Sequence, residues 1–291
     1  MYLGAIEAGG TKFVCAIGDR EGNIYERIQF PTTMTEETMQ RVMDFFNNYS
    51  LEAIGIGTFG PVDLNKESET YGYITNTPKP YWSKFDFVGT IQQRFHIPVG
   101  FDTDVNAAAL GEMFWGRAKG KNSCIYMTVG TGIGVGAIVE GRLVHGLLHP
   151  EMGHIFVRRH PDDTFAGSCP LHGDCLEGLA SGPAIEKRWG RRGADLSRQN
   201  EVWELEAFYL GQAIAQYILI LSLEQVIVGG GVAKQPTLLP LIRYHVLSHL
   251  NGYVQHEVIL EHMDEYITSP GLGDDSGICG ALALAKQALL E

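Results

Sequence analysis

The chain has 291 residues, of which 45% are hydrophobic and 19% charged, and its formal net charge is −12. This is the composition of a soluble globular protein with apolar material for one large or two ordinary domains. The negative charge argues against nucleic acid or an anionic membrane as a partner. The sequence contains no apolar run of the ~20 residues that a membrane span needs and no signal peptide. We therefore expect a cytoplasmic protein: of its five cysteines, Cys15, Cys124 and Cys279 are scattered in apolar segments, which suits that reducing compartment.

The first glycine-rich turn follows the first predicted strand. Three strands are predicted at the start of the chain, over Tyr2–Ile6, Phe13–Ile17 and Ile24–Phe30. The turn between the first two reads Glu7-Ala-Gly-Gly-Thr-Lys12, in which the paired glycines let the backbone approach a phosphate. Thr11 and Lys12 add a hydroxyl group and a cation. Because Gly-Gly hairpins are common, this turn alone is weak evidence for a phosphate site.

Two loops with candidate sugar contacts follow. Thr35–Asn48 has the spacing of a helix, and Ala53–Thr58 has that of a strand leading into a tight turn at Gly60. Residues 76–80 read Asn-Thr-Pro-Lys-Pro, which is incompatible with regular helix or a central strand. We interpret them as a rigid loop that displays Asn76 and places Trp82 close behind. An exposed amide and indole suit a sugar, although a plain connecting loop is an equally good interpretation.

An aspartate lies at the start of the next helix. The strand that ends at Val99–Asp102 precedes an Ala-rich helix that runs through Glu112, so Asp104 lies at or near the helix N-terminus. One interpretation of Asp104 is an ordinary N-cap. The other is a proton acceptor, because the helix dipole keeps a carboxylate ionised there.

The second half of the chain repeats the order of the first. The predicted units are a strand, a glycine-threonine turn and two further strands, over Ser123–Val129, Gly130–Gly134, Val135–Val139 and Leu143–Leu147. Recurrence of one unit in each half indicates a duplication. Two such turns that face each other are able to hold one polyphosphate from both sides.

The remaining elements are predicted as helices around one strand. Their ranges are Ala184–Gly190, Glu204–Leu223, Gln225–Val228 (the strand) and Asp274–Leu290. Ser181-Gly-Pro183 begins the first of these helices. Gly229, Gly230 and Gly231 follow the strand, and three glycines there permit a flat ligand or a ribose to lie against the backbone.

Four residues have the spacing of a metal site. Cys169, His172 and Cys175 are three residues apart, and His154 lies fifteen residues upstream of Cys169. Two thiolates and two imidazoles form the closed tetrahedral set that structural Zn²⁺ prefers. The alternative is that these side chains are ordinary buried residues.

Two glutamates are interleaved with this set, and together the patterns indicate phosphoryl transfer to a polyhydroxylated substrate. We assign Asp104 as the base that accepts the hydroxyl proton. The sugar hydroxyl groups are assigned to Asn106, Glu151 and Glu177. The β- and γ-phosphates, screened by Mg²⁺, are assigned to Thr11, Lys12, Thr131 and Gly132. Alternating strands and helices with a hairpin at each start predict two similar α/β lobes with a cleft between them.

The ordered motifs resemble those of the ROK family of sugar kinases and repressors over essentially the whole chain. They are Glu7-Ala-Gly-Gly-Thr-Lys12, Asp102-Thr-Asp-Val-Asn106, Gly130-Thr-Gly-Ile-Gly134, Glu151-Met-Gly-His154 and Val228-Gly-Gly-Gly231. The resemblance implies duplicated actin-like, ribonuclease-H-like (ASKHA) domains with a central cleft. It places the first domain at residues 1–115 plus 273–291 and the second at 116–272. It further implies ATP with Mg²⁺, a catalytic Asp104, sugar contacts at Glu151, His154 and Glu177, and a homodimer.

The predicted site is thus composed of three sets of residues. The substrate-binding set is Gly60, Asn76, Asp104, Asn106, Glu151, His154 and Glu177. The ATP-binding set is Gly9, Gly10, Thr11, Lys12, Thr131, Gly132, Pro183, Gly229, Gly230 and Gly231. The zinc set is His154, Cys169, His172 and Cys175, so His154 has two candidate roles, as zinc ligand and as sugar contact.

The cysteine loop bears on the substrate. Cys169-Pro-Leu-His-Gly-Asp-Cys-Leu-Glu177 resembles the bacterial fructokinase branch, whereas the glucokinase branch has cysteine where His172 stands here. Transfer of the γ-phosphate of ATP to the 6-hydroxyl of D-fructose is therefore favoured, and glucose, mannose and N-acetylmannosamine are the alternative acceptors. Two residues depart from the family pattern, Glu7 for Asp and Thr103 for Asn, which puts a metal-water contact and one sugar hydrogen bond in doubt.

Regulators in the family are a rival interpretation. The repressors carry a helix-turn-helix before the kinase-like region, and the first phosphate turn here begins at residue 7, so we expect none. A non-catalytic sugar-sensing protein is disfavoured because Asp104, Thr131, Glu151 and Glu177 are all present.

Overall fold

The structure is a computed structural model that describes residues 2–290, and its chain divides into two compact units. The first unit consists of Met1–Gly120, Leu143–Pro150 and Gly271–Glu291, and the second consists of Lys121–Arg142 and Glu151–Pro270. The predicted division at residues 115 and 273 lies a few residues from these boundaries. It did not anticipate that Leu143–Pro150 belongs to the first unit.

Twelve strands are present among the described residues. In chain order they are β1 (Tyr2–Ala8), β2 (Lys12–Gly18), β3 (Ile24–Pro31), β4 (Leu51–Thr58), β5 (Tyr73–Ile74), β6 (Phe85–Asp86), β7 (Val99–Thr103), β8 (Cys124–Val129), β9 (Ile133–Val139), β10 (Arg142–Leu143), β11 (Gln225–Gly229) and β12 (Ile267–Thr268). The predicted third strand of the second half is present as β10, but its predicted range, Leu143–Leu147, is wrong, because regular strand structure ends at Leu143.

Ten α-helices occupy the same part of the chain. They are α1 (Thr35–Phe46), α2 (Phe87–Phe95), α3 (Asp104–Trp115), α4 (Leu176–Ala180), α5 (Gly182–Trp189), α6 (Asn200–Leu221), α7 (Leu238–Leu250), α8 (Glu257–Glu261), α9 (Met263–Tyr266) and α10 (Ser276–Ala288). None of these helices, within residues 2–290, combines the length and apolar composition that a membrane crossing requires.

The two main sheets share one strand order. The sheet of the first unit runs β3-β2-β1-β4-β7, and the other runs β10-β9-β8-β11-β12. In the first sheet, β1 pairs antiparallel with β2 and parallel with β4. In the second sheet, β8 pairs in the same way, antiparallel with β9 and parallel with β11. The predicted α/β duplication is therefore confirmed at the level of sheet topology.

The faces of the first sheet are covered in different ways. On one face α10 packs directly on the strands, because a side-chain carbon added at Gly55 of β4 would lie only 1.8 Å from the carbonyl oxygen of Ala281. An aromatic cluster belongs to the same unit's core, and Trp82 is fully buried within it, 5.1 Å from the ring centre of Phe13. The indole N–H of Trp82 donates to the carbonyl oxygen of Thr33 at 3.0 Å. The predicted sugar-facing Trp82 is therefore wrong, because burial outweighed its loop position in the sequence.

Candidate active site

In the first unit, the candidate residues follow the carboxyl ends of three adjacent parallel strands. Ala8 of β1 is paired with Thr58 of β4, and Thr58 with Thr103 of β7. The chain leaves all three strands at one edge of the sheet, which is where ligands bind in open α/β sheets. The turn after β1, the turn around Gly60 and the start of α3 at Asp104 therefore share this edge.

The turn after β1 presents backbone and polar groups to solvent. The N–H of Gly9 donates to the carbonyl oxygen of Lys12 at 2.9 Å, which closes the turn. Gly10, Thr11 and Lys12 are exposed, and a side-chain carbon at Gly10 would have no neighbour within 4 Å. This open, glycine-lined turn with a hydroxyl group and an ammonium group suits a phosphate.

Asp104 is the first residue of α3. Thr103 is the N-cap, since its hydroxyl oxygen accepts from the N–H of Asn106 at 3.2 Å. The interpretation of Asp104 as the N-cap is therefore wrong. Asp104 is partly buried, and its carboxylate accepts from the N–H of Val105 at 2.9 Å, within the first turn where a helix dipole favours negative charge.

Three residues of this unit that the sequence did not single out lie at the same sheet edge. Asp102 is 2% exposed, and its carboxylate accepts from the side-chain amide of Asn106 at 2.7 Å and bonds to Nε2 of His145 at 2.8 Å. Nε2 of His149 accepts from the N–H of Val62 at 3.2 Å, beside Gly60. Neither histidine has a spacing that indicates this role, because both reach the sheet edge from the non-regular segment after β10.

The loop that carries Asn76 is tied to the turn after β4. The N–H of Thr75 donates to the carbonyl oxygen of Pro61 at 2.8 Å, and the Asn76 side chain is exposed. The structure thus brings the backbones near Gly60 and Asn76 together.

In the second unit, two glycine turns meet at the end of β8 and β11. Thr128 of β8 is paired with Gly229 of β11, so the turns that follow lie side by side. Gly230 has a φ of +91°, and a side chain there would approach the carbonyl oxygen of Val129 to 2.4 Å. Glycine is required at position 230 for both reasons.

A cavity of about 670 Å³ opens beside these turns. Its wall includes Gly130, Thr131, Pro183 and Gly231. The N–H of Gly182 donates to the carbonyl oxygen of Gly130 at 2.8 Å, so the N-terminus of α5 is joined to the first turn. Because a helix N-terminus attracts anions and the cavity has the size of a small-molecule site, this arrangement suits a nucleotide. The sequence did not single out Trp203 and Gln235, which also line the cavity.

Glu177 and His154 reach the same unit's glycine-threonine turn. A carboxylate oxygen of Glu177, in the first turn of α4, accepts from the N–H of Ile133 at 3.0 Å. Gly153 packs against the carbonyl group of Ile133, which places the short helical turn Met152–His154 beside β9. Glu151 immediately precedes this turn and is exposed.

The four predicted metal ligands converge. The ligand atoms of His154, Cys169, His172 and Cys175 all lie within 4.8 Å of one another. Nδ1 of His154 is 3.5 Å from Sγ of Cys175 and 3.8 Å from Sγ of Cys169, and Nδ1 of His172 is 3.7 Å from Sγ of Cys169. Zn–N and Zn–S bonds of about 2.0–2.3 Å at tetrahedral angles require ligand separations of this size. The residues therefore fit a tetrahedral zinc ion.

Comparison with known proteins agrees with this geometry. The sequence matches the ROK family over residues 3–288. The chain belongs to the ROK family. A protein of Bacillus subtilis (strain 168) is 58% identical over 287 residues, covering 99% of this chain and 96% of its own. The fructokinase of Pediococcus pentosaceus is 46% identical over 289 residues, covering 99% of both chains.

A solved structure extends the likeness from sequence to fold. A ROK family glucokinase from Streptomyces griseus, in complex with glucose and AMPPNP, has a TM-score of 0.78, 26% sequence identity, and coverage of 99% of this chain and 100% of its own. The predicted actin-like fold class is confirmed for this ROK protein.

In this ROK protein, Glu7 stands close to other carboxylates. Burial raises the pKa of Glu7 from its ordinary value of 4.5 to about 7, Lys12 opposes the shift, and the charge of Asp104 adds to it. A carboxyl group with a raised pKa binds its proton more tightly in the folded state than in the unfolded state. The free energy of unfolding therefore falls as the pH rises from about 4.5 to about 7.

We expect Glu7→Gln to remove this pH dependence, because the amide does not titrate. Relative to the variant, the wild type should lose roughly 3 kcal/mol of unfolding free energy across that pH range. Denaturant unfolding of both proteins at several pH values measures the difference, with Glu36→Gln, at an exposed position of α1, as the control. Parallel pH profiles for wild type and Glu7→Gln would contradict the prediction.

Proposed function

We propose that this ROK protein is an ATP-dependent fructokinase, which transfers the γ-phosphate of ATP to the 6-hydroxyl of D-fructose and forms fructose 6-phosphate. The observation that carries the proposal is the 46% identity to a fructokinase over 99% of both chains. The open turn after β1, the carboxylate at the start of α3 and the cavity beside β11 support the kinase activity.

Asp104 is the proposed base. The oxygen of the sugar hydroxyl attacks the γ-phosphorus, the bond between this phosphorus and its bridging oxygen breaks, and ADP leaves. Asp104 takes the hydroxyl proton. Its position in the first turn of α3 supports this role, because the helix dipole favours the charged, proton-accepting form.

Residues that bind the nucleotide are proposed in each unit. The phosphate-binding residues are Gly9, Gly10, Thr11, Lys12, Thr131 and Gly132. The residues for the nucleoside are Pro183, Gly229, Gly230 and Gly231. Mg²⁺, when bound with ATP, neutralises phosphate charge. The S. griseus glucokinase was crystallised with AMPPNP, which supports a nucleotide as the donor.

The sugar hydroxyl groups are proposed to bind Gly60, Asn76, Asn106, Glu151, His154 and Glu177. His154 is able to contact both zinc and the sugar through different ring nitrogens. Its Nδ1 faces the thiols of Cys169 and Cys175, and its Nε2 is left for a sugar hydroxyl group. Asn106 is 2% exposed and already bonded to Asp102, so its contact with a sugar is limited to what Asp102 leaves accessible.

A structural Zn²⁺, a homodimer and a cytoplasmic location complete the proposal. The convergence of two imidazoles and two thiols supports the zinc. The exposed apolar side chains of Ile220 and Tyr244, on α6 and α7, support a contact between two copies. All five cysteines are free thiols, which supports a reducing compartment.

The test is turnover with Mg²⁺-ATP on fructose, glucose, mannose and N-acetylmannosamine, compared by kcat/KM. Coupling to phosphoglucose isomerase and glucose-6-phosphate dehydrogenase reports fructose 6-phosphate and not fructose 1-phosphate. We expect the highest kcat/KM with fructose and a signal in the coupled assay. A preference for another sugar would keep the kinase and refute the fructose assignment, and no turnover on any sugar would refute both.

A further inference from the structure

The segment Leu143–Pro150 of the first unit, which has no regular structure after Leu143, is joined to the sheet edge by two histidines. His145 bonds to Asp102 through Nε2, at 2.8 Å from Oδ2, and His149 accepts from the N–H of Val62 at 3.2 Å. Between them, Leu147 and Leu148 are 96% and 66% exposed. The histidines, and not apolar packing of these leucines, therefore hold this segment against the turns that begin at Gly60 and Asp104.

The Asp102 carboxylate organises the first turn of α3. Its Oδ1 accepts from the N–H of Thr103 and from the side-chain amide of Asn106, both at 2.7 Å. Thr103 in turn caps the helix by accepting from the N–H of Asn106. Thr103, immediately before Asp104, and Asn106, two residues after it, are therefore both bonded to Asp102. The geometry of the Asp104 carboxylate thus depends on where Asp102 points.

His145 supplies the donor to the second oxygen of Asp102. The Asp102 side chain is 3% exposed, and a buried carboxylate oxygen is costly when no group donates to it. The His145 side chain is 39% exposed, and its hydrogen bond to Asp102 raises the pKa of the imidazole, which favours the cationic form beside the Asp102 carboxylate. A displacement of His145 would therefore be transmitted to Asp104 through two hydrogen bonds, one from His145 to Asp102 and one from the N–H of Thr103 to Asp102.

We propose that His145 is a positioning residue for phosphoryl transfer: its bond to Asp102 holds the first turn of α3, and thereby the Asp104 carboxylate, in the orientation that accepts the sugar proton. The inference rests on the proposed kinase function. It assigns a role to His145, which is not among the residues proposed above to bind ATP, the sugar or zinc. Misplacement of a catalytic group by about 1 Å costs on the order of 100-fold in rate, so the effect is measurable.

The test compares His145→Ala, His145→Phe and His145→Gln with the wild type in fructose turnover. The alanine and phenylalanine variants lack a donor, and the phenylalanine also retains the volume of the ring. We expect kcat to fall about 10- to 100-fold in both, with KM for fructose within about 3-fold of the wild type. His145→Gln, whose amide is able to donate to Asp102, should regain most of kcat. His96→Asn, at an exposed position after α2, is the matched control.

The outcomes separate this inference from the proposed function. An active wild type whose kcat is unchanged in His145→Ala and His145→Phe would refute the role of His145 alone. A raised KM with unchanged kcat would replace positioning with direct sugar binding. A wild type inactive on all four sugars would refute the kinase and this role together. As a check independent of turnover, the imidazole pKa of His145 measured by NMR should fall in Asp102→Asn, and an unchanged value would show that the pair is not formed.

Discussion

Asp104→Asn is expected to lower kcat by about 10²- to 10⁴-fold, which is the range for loss of a general base. The asparagine amide has nearly the same shape as the carboxylate, but it does not accept a proton at neutral pH. Thr103, and not Asp104, caps α3, so the substitution leaves the helix start intact. Fructose affinity, measured by calorimetry in the absence of ATP, should change little, because the other sugar contacts remain.

The matched control for this variant is Asp44→Asn, which makes the same chemical change at an exposed position of α1. It should retain the activity of the wild type. The thermal midpoint of Asp104→Asn should stay within a few degrees of the wild type. Turnover by Asp104→Asn within about 10-fold of the wild type would fall below the range expected for a general base and would remove Asp104 from that role.

Loss of the metal site is expected to have the second largest effect. Cys175→Ser, or treatment with a strong chelator, should reduce bound zinc from about one ion per chain to near zero, since a closed tetrahedral site needs all four ligands. The metal would connect the His154 turn with the start of α4, the helix that carries Glu177. Without it, the Glu177 carboxylate loses its fixed position on the N–H of Ile133. We expect kcat/KM for fructose to fall about 10- to 100-fold and the thermal midpoint to fall by on the order of 10 °C.

Elemental analysis, thermal unfolding and steady-state kinetics on the same samples measure these three effects. Cys279→Ala is the control, because it removes a buried thiol from α10 of the other unit and should leave the zinc content unchanged. Restoration of activity on adding Zn²⁺ to the chelated wild type would separate metal loss from irreversible unfolding. A zinc-free protein with the thermal midpoint and kinetics of the wild type would contradict a structural role for the metal.

Elements with a strong local pattern were predicted well. The strand–turn–strand order around Gly9 and Gly130 is observed, because a glycine-containing turn between two short, almost continuously buried apolar runs leaves few alternatives. The convergence of the four candidate metal ligands was predicted because two cysteines and two histidines lie within 22 residues of one another, so that chain connectivity alone restricts their separation.

Predictions that depended on exposure or on a weak pattern failed. Trp82 lies among prolines and polar residues in the sequence, yet its ring is fully buried because Phe13 and Phe59 come to it from distant segments. Leu143–Leu147 has a strand-like composition, but Leu147 faces solvent and, within the described chain, no strand pairs with this segment beyond Leu143. Local composition does not specify which segment packs on which.

The sequence alone thus determined the family, the duplicated α/β class, the two glycine-threonine turns, the place of Asp104 at the start of α3 and the cluster of four candidate metal ligands. Each of these depends on residues that are close along the chain or on motifs in a characteristic order. Only the tertiary structure showed that Asp102, 43 residues before His145, makes a short hydrogen bond to it. The physical reason is that this contact depends on the path of a non-regular segment with no periodicity, and hydrogen bonds to residues distant in the sequence, rather than any local preference of the backbone, hold that path.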